Sequence, residues 1–184
     1  MINYLNLRDV FRSIKIRKEL AKQIAVMVNK IKPDILVDLL QSISFIIMTA
    51  SDLTGISMIS IISEALKKEG TKKDHGIAQN INGIFKKGQR VLIIDDVVSS
   101  HAFTKIKAIN VLKKCGLKVI PKIIVVVDRE EGGKEKLKKP KYDLVSLFRF
   151  GDILKLYFLK KLITKMEHEN SLKYSKIAKA FSLR

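Results

Sequence analysis

Two adjacent carboxylates, Asp95 and Asp96, follow the apolar run Val91–Ile94, and two hydroxyls, Ser99 and Ser100, come three residues later. A pair of acids closing a strand can accept hydrogen bonds from the vicinal hydroxyls of a ribose, or help hold a hydrated Mg²⁺. The same acids also read as a solvated strand end or an N-cap. The serines stand where a helix begins, and a helix start offers backbone N–H groups that favour an anion. Strand, acid pair, serine pair and helix together point to a ligand carrying hydroxyls and a phosphate.

These side chains need a frame. Helical periodicity runs through "IKIRKELAKQIAVMVNKI", where Ile16, Leu20, Ile24, Met27, Val28 and Ile31 share a face and Pro33 ends the run. "DILVDLL", "ISIIS", "GQRVLIIDDVV", "KVIPKIIVVVDREEGG" and "DLVSLF" read as strands. "SISFIIMTASDLTGISM", closed near Gly55, and "FTKIKAINVLKKCG", capped by Gly116, read as helices. "EALKKEGTKKDHGIAQNING" reads as a mobile Lys/Gly loop. Alternating strands and helices predict an α/β fold, a twisted and mostly parallel sheet flanked by helices. In such sheets ligands bind beyond the carboxyl ends of the strands. Asp95, Asp96, Asp128 and Arg129 are expected there, at exposed strand ends.

Residues 1–184 suit one domain, with a basic helical C-terminal tail from about 152 to 184, where Ile153, Leu156, Leu159 and Leu162 share a face. No run approaches the ~20 apolar residues of a membrane-spanning helix. No signal-peptide pattern opens the sequence, and the single Cys115 forms no internal disulfide or zinc cluster. A cytoplasmic protein is the default expectation. The formal net charge is +18. Such a balance attracts polyanions, nucleic acid or phosphorylated metabolites. An AT-rich genome or a hot habitat gives the same composition.

"VLIIDDVVSS" resembles the ribose-phosphate motif of the type I phosphoribosyltransferases. "VVVDREEGG", Val125–Gly133, "KKDHG", Lys72–Gly76, and "SLF", Ser146–Phe148, resemble segments of the orotate phosphoribosyltransferase branch. "YLNLR", Tyr4–Arg8, is similar to that branch's first strand. The resemblance implies transfer from phosphoribosyl pyrophosphate to orotate, with Mg²⁺, giving orotidine monophosphate and pyrophosphate in a homodimer. By position, Asp95 and Asp96 would meet the ribose hydroxyls. Ser99, Ser100, His101 and Thr104 would hold the 5-phosphate, and Arg129 would pair with orotate. Lys73 and His75 would reach the pyrophosphate of the partner's site.

Three places depart from the family pattern. His101, Ala102 and Phe103 stand where its phosphate loop has Gly-Gly-Ser/Thr. Glycine lets N–H groups curl toward an anion, whereas His101 and Ala102 are expected to resist a left-handed backbone. "DLLQSISF", Asp38–Phe45, replaces the glycine-rich pyrophosphate loop, and Asp38 would set a negative charge beside the pyrophosphate. Ile62-Ser63 replaces an Arg-Lys pair, with Lys67 and Lys68 as substitutes. These departures predict an activity that is weak or lost. They leave open a non-catalytic relative that binds a nucleotide or nucleic acid.

Overall fold

The computed structural model describes residues 7–62, 81–100 and 102–183. Among the described residues six strands form one sheet: β1 (Ile35–Leu39), β2 (Met58–Ile61), β3 (Ile81–Asn82), β4 (Arg90–Val98), β5 (Lys118–Asp128) and β6 (Asp143–Arg149). Their spatial order is β3-β2-β1-β4-β5-β6. All neighbours are parallel except β3, a two-residue antiparallel edge on β2. Among the described residues the helices are α1 (Leu7–Arg12), α2 (Ile14–Ile31), α3 (Ser44–Thr54), α4 (Phe103–Lys114), α5 (Gly133–Lys138), α6 (Phe150–Leu159) and α7 (Lys165–Ser182).

Successive strand residues point to opposite faces, so continuous apolar runs build two cores at once. Val37, Ile93 and Val125 pack with Ala108, Ile109 and Leu112 of α4. Leu36, Leu92 and Ile124 pack with Ile24 and Val28 of α2 and with Ile46 and Ile47 of α3. Each such buried Val, Leu or Ile side chain contributes roughly 1.5–3 kcal/mol. This two-sided burial fixes β1 and β4 side by side at the centre, with Val37 opposite Ile93 and Asp38 opposite Ile94. The loops leaving their carboxyl ends therefore share one crevice.

Two expectations from the sequence are corrected. Leu7 and Arg8 belong to a helix, α1, and not to a strand. Its Phe11 is buried in the α2–α3 core, which gives this segment a helical neighbour in place of a strand. In the tail, Phe150 and Leu154 are the buried residues of α6, while Leu156, Leu159 and Leu162 are exposed. The helix ends at Leu159, so Leu162 leaves the expected stripe. Ile163 turns in to join Phe150 and Leu154 in a small separate cluster. α7 then starts on a capping box: Glu167 N–H donates to Thr164 Oγ1 at 3.2 Å, and Thr164 N–H donates to the Glu167 carboxylate at 2.8 Å. Among the described residues, no helix is long and apolar enough to cross a membrane.

Candidate functional site

The sequence places both acids at an open strand end, and the structure separates them. Asp95 is buried. Its Oδ2 lies 2.6 Å from the Lys105 ammonium, and its Oδ1 accepts from Ser42 Oγ at 2.9 Å and from the Asp96 N–H at 2.9 Å. Lys105 is itself buried and also donates to the Val97 carbonyl. Asp96 is only partly buried. Burial, and then the neighbouring Asp95 charge, push its carboxyl up to about 6. Asp96 is thus the member of the pair that stays near solvent.

Lys105 escapes a search for chemical motifs, although its signal is in the sequence. It shares a helical face with Ala108, Ile109 and Leu112, and all four are buried. A lysine on the apolar face of a helix needs an internal anion.

Asp38 is not in the pyrophosphate-type loop. It lies within β1, fully buried, and its Oδ2 accepts from Ser44 Oγ at the start of α3. Its Oδ1 finds no hydrogen-bond partner among the described residues. Burial raises this carboxyl to about 6, with the Asp95 charge adding to the rise and the Ser44 bond opposing it. The loop proper starts at Leu40. Leu40 and Gln41 have φ of 60° and 56°, in the left-handed region. Beside this loop lies a cavity of about 410 Å³, lined in part by Gln41, Ser44, Met48 and Ser60.

The expected resistance of Ala102 to a left-handed backbone is also corrected. Ala102 has φ 46° and ψ 14° and serves as the N-cap of α4. Its side chain is buried in the core, and its carbonyl accepts the Ile106 N–H at 3.1 Å. Core packing and the first helical bond hold the strained conformer in place. No side chain caps α4, and its first turn holds no acid. Both turns therefore hold a left-handed backbone without glycine.

The next strand end supplies Arg129. Its guanidinium lies 2.7 Å from the buried Glu131 carboxylate, with 23% of its side chain exposed. Asp128 accepts the Glu130 N–H at 2.8 Å, and burial raises its carboxyl. Glu130 accepts from Arg149 and from the Gly151 N–H at 2.8 Å, which anchors this turn to the start of α6. The turn then reaches Gly132 and Gly133. A Cβ on Gly133 would strike the Ser99 carbonyl oxygen, and a Cβ on Gly132 would strike Ser182 Oγ. Ser99, Ser100, Thr104, Asp96 and Arg129 thus cluster around the ends of β4 and β5. Lys73, His75 and His101 lie outside the described residues, as do Lys67, Lys68 and the Tyr4–Asn6 part of the amino-terminal motif.

The model of the phosphoribosyl transferase domain family matches residues 12–150. This chain belongs to the phosphoribosyltransferase family. Orotate phosphoribosyltransferase of Aquifex aeolicus is 39% identical over 82 residues, covering 45% of this chain and 44% of that protein. The chain spans about half the length of the curated relatives it matches. Among solved structures, UMP synthase of Leishmania donovani is 28% identical with a TM-score of 0.79, covering 94% of this chain and 36% of that one. Orotate phosphoribosyltransferase of Mycobacterium tuberculosis, bound to 5-phospho-alpha-D-ribosyl 1-diphosphate, has a TM-score of 0.62 at 18% identity over 82% of each chain. The second likeness concerns the fold alone. The phosphoribosyltransferase match closes at the start of α6, so α7 lies beyond it.

Proposed function

We propose that this phosphoribosyltransferase-family protein joins orotate to the ribose of phosphoribosyl pyrophosphate, giving orotidine monophosphate and pyrophosphate. The observation that carries this reading is the start of α4, which no side chain caps and no acid occupies, directly after the strand bearing Asp96. A 5-phosphate seated there meets N–H groups and the positive end of a helix. Asp96 accepts hydrogen bonds from the ribose hydroxyls. Arg129, oriented by Glu131, meets the orotate carboxylate. A ring nitrogen of orotate bonds to the anomeric carbon while the bond to pyrophosphate breaks; that electron pair leaves with the pyrophosphate, which also takes up the proton given up by the ring nitrogen.

Among the described residues, no three His, Cys, Asp or Glu side chains are grouped to hold a metal. Mg²⁺ is typically held by one or two carboxylates plus substrate phosphates, and Asp96 meets that need. When bound, the ion offsets charge on the leaving pyrophosphate. Lys73 and His75 would serve the same end from a partner copy in a homodimer.

The test is orotidine monophosphate formation from orotate, phosphoribosyl pyrophosphate and Mg²⁺. A folded sample with no turnover at high protein concentration would sink the enzymatic reading. A second reading, a non-catalytic nucleotide or nucleic-acid binder, draws on one observation: Asp95 is already engaged by Lys105, Ser42 and the Asp96 N–H. Its mark would be binding of orotidine monophosphate, or salt-dependent binding of nucleic acid, without turnover.

A further inference from the structure

We propose that α7 is part of the phosphate-binding apparatus, with Ser182 as a positioning residue for the loop between β4 and α4. Ser182 Oγ donates to the Ser100 carbonyl at 3.0 Å, across 82 residues of sequence. The Ser182 side chain is buried, in the last turn of its helix. A carbonyl held from outside restrains the backbone that leads from β4 towards α4. That restraint steadies the start of α4, where free N–H groups favour an anion.

The contact is built from both sides. Gly132, at φ 100°, leaves room for Ser182, because a Cβ there would strike the Ser182 hydroxyl and approach Leu183. Gly133, next in sequence, leaves room for the Ser99 carbonyl. The turn after β5 is therefore clasped between the phosphate loop and the end of α7. Lys179, one turn earlier, pairs with Glu135 of α5 at 2.5 Å. Ser171 and Ser175 bury the same side of the helix. The capping box at Thr164 fixes where α7 begins, and so where its last turn falls.

The loop has a reason to need this support. Ala102 holds a left-handed conformation at φ 46°, where glycine would rest without strain. A strained turn persists when its surroundings over-determine it, and Ser182 adds one such constraint. The family match ends at residue 150, so this support comes from outside the matched region.

The role in ligand binding rests on reading this loop as a phosphate seat; the mechanical role does not. Two measurements on the 184-residue chain separate them. Amide hydrogen exchange compares the wild type with Ser182→Ala in the β4–α4 loop and, as a control, in the β1–α3 loop. Calorimetric titration with ribose 5-phosphate measures the phosphate seat. The expected result for Ser182→Ala is faster exchange in the β4–α4 loop alone and ribose 5-phosphate binding about fivefold weaker, the usual size of one hydrogen bond. With turnover, KM for phosphoribosyl pyrophosphate rises while kcat holds. Unchanged loop exchange, or an increase confined to α7, overturns the proposal. A wild type that ignores ribose 5-phosphate overturns the phosphate-seat reading, and loop exchange then decides the mechanical role by itself.

Discussion

The Asp95 carboxylate and the Lys105 ammonium lie 2.6 Å apart and buried beneath the candidate site. In a phosphoribosyltransferase-type acid pair, one member is thereby neutralised from inside the protein. Burying two charges costs free energy that a good pair only roughly repays, whereas stranding one of them is expensive. Lys105→Met should therefore destabilise the fold by about 3–5 kcal/mol. Asp95→Asn combined with Lys105→Met should recover most of that loss. Urea unfolding of the two single variants and the double variant measures the coupling. A double variant no more stable than Lys105→Met would show that the pair is not the unit described.

The pH dependence of stability follows from Asp38 and Asp96, both raised to about 6 in the fold. The folded protein holds these protons more tightly than the unfolded chain does. Stability from these groups is thus greatest below their unfolded range near 4 and is lost as pH rises through about 6. Asp38→Asn should flatten this slope and raise stability at pH 7 by on the order of 1–3 kcal/mol. Thermal melts from pH 4 to 8 test the sign. A wild type that gains stability across that window would contradict it, once other titrating groups are held constant by comparing the variant.

Arg129 has to be tested with its partner in view. Arg129→Ala strands the buried Glu131 and so mixes a folding defect with any lost contact to orotate. Arg129→Lys keeps the charge but loses the bidentate fork. It should lower kcat/KM for orotate at least tenfold while leaving the melting midpoint within a few degrees. Asp96→Asn should act on the ribose side with a similar loss.

Gly133→Ala should disable the site from behind. The added methyl meets the backbone carbonyl of Ser99, which cannot swing aside as a flexible side chain could. A cost of roughly 1–3 kcal/mol, with loss of ribose-phosphate binding, is expected. Gly55→Ala is the control. Nothing lies near its Cβ, and only the left-handed φ of 69° opposes it. It should cost about 1 kcal/mol and spare binding.

Leu40→Gly with Gln41→Gly should cost little. Each residue now holds a left-handed φ at about 1–2 kcal/mol, which offsets the entropy that glycine loses on folding. The pair should change stability by less than about 1 kcal/mol and tighten phosphoribosyl pyrophosphate binding. Titration of the double variant against the wild type measures this.

Much of this was legible in the chain. Period-two and period-3.6 patterns located β4, β5, α2 and α4 because each buries a full apolar face. The acid pair stands near the end of β4 and the serines just beyond it, as the strand pattern predicts. What the pattern missed was set by three-dimensional neighbours. Asp95 reads like Asp96 until Lys105 is placed beneath it. Asp38 reads as a loop acid until β1 is seen to run on to Leu39. Ala102 reads as an obstacle to a tight turn because propensity penalises left-handed residues, while core packing holds it there. Ser182 carries no local signal, since its partner is 82 residues away.

Beneath the crevice, β1 and β4 set Asp38 close enough to Asp95 for their charges to repel. Lys105 balances Asp95, so Asp38 leaves an uncompensated negative charge under the floor. A polyanion arriving above and a proton arriving at Asp38 then favour one another, and the coupling is reciprocal. A polyanion held in the crevice would then be expected to bind with proton uptake, so that near pH 6 its heat of binding would scale with the ionisation enthalpy of the buffer.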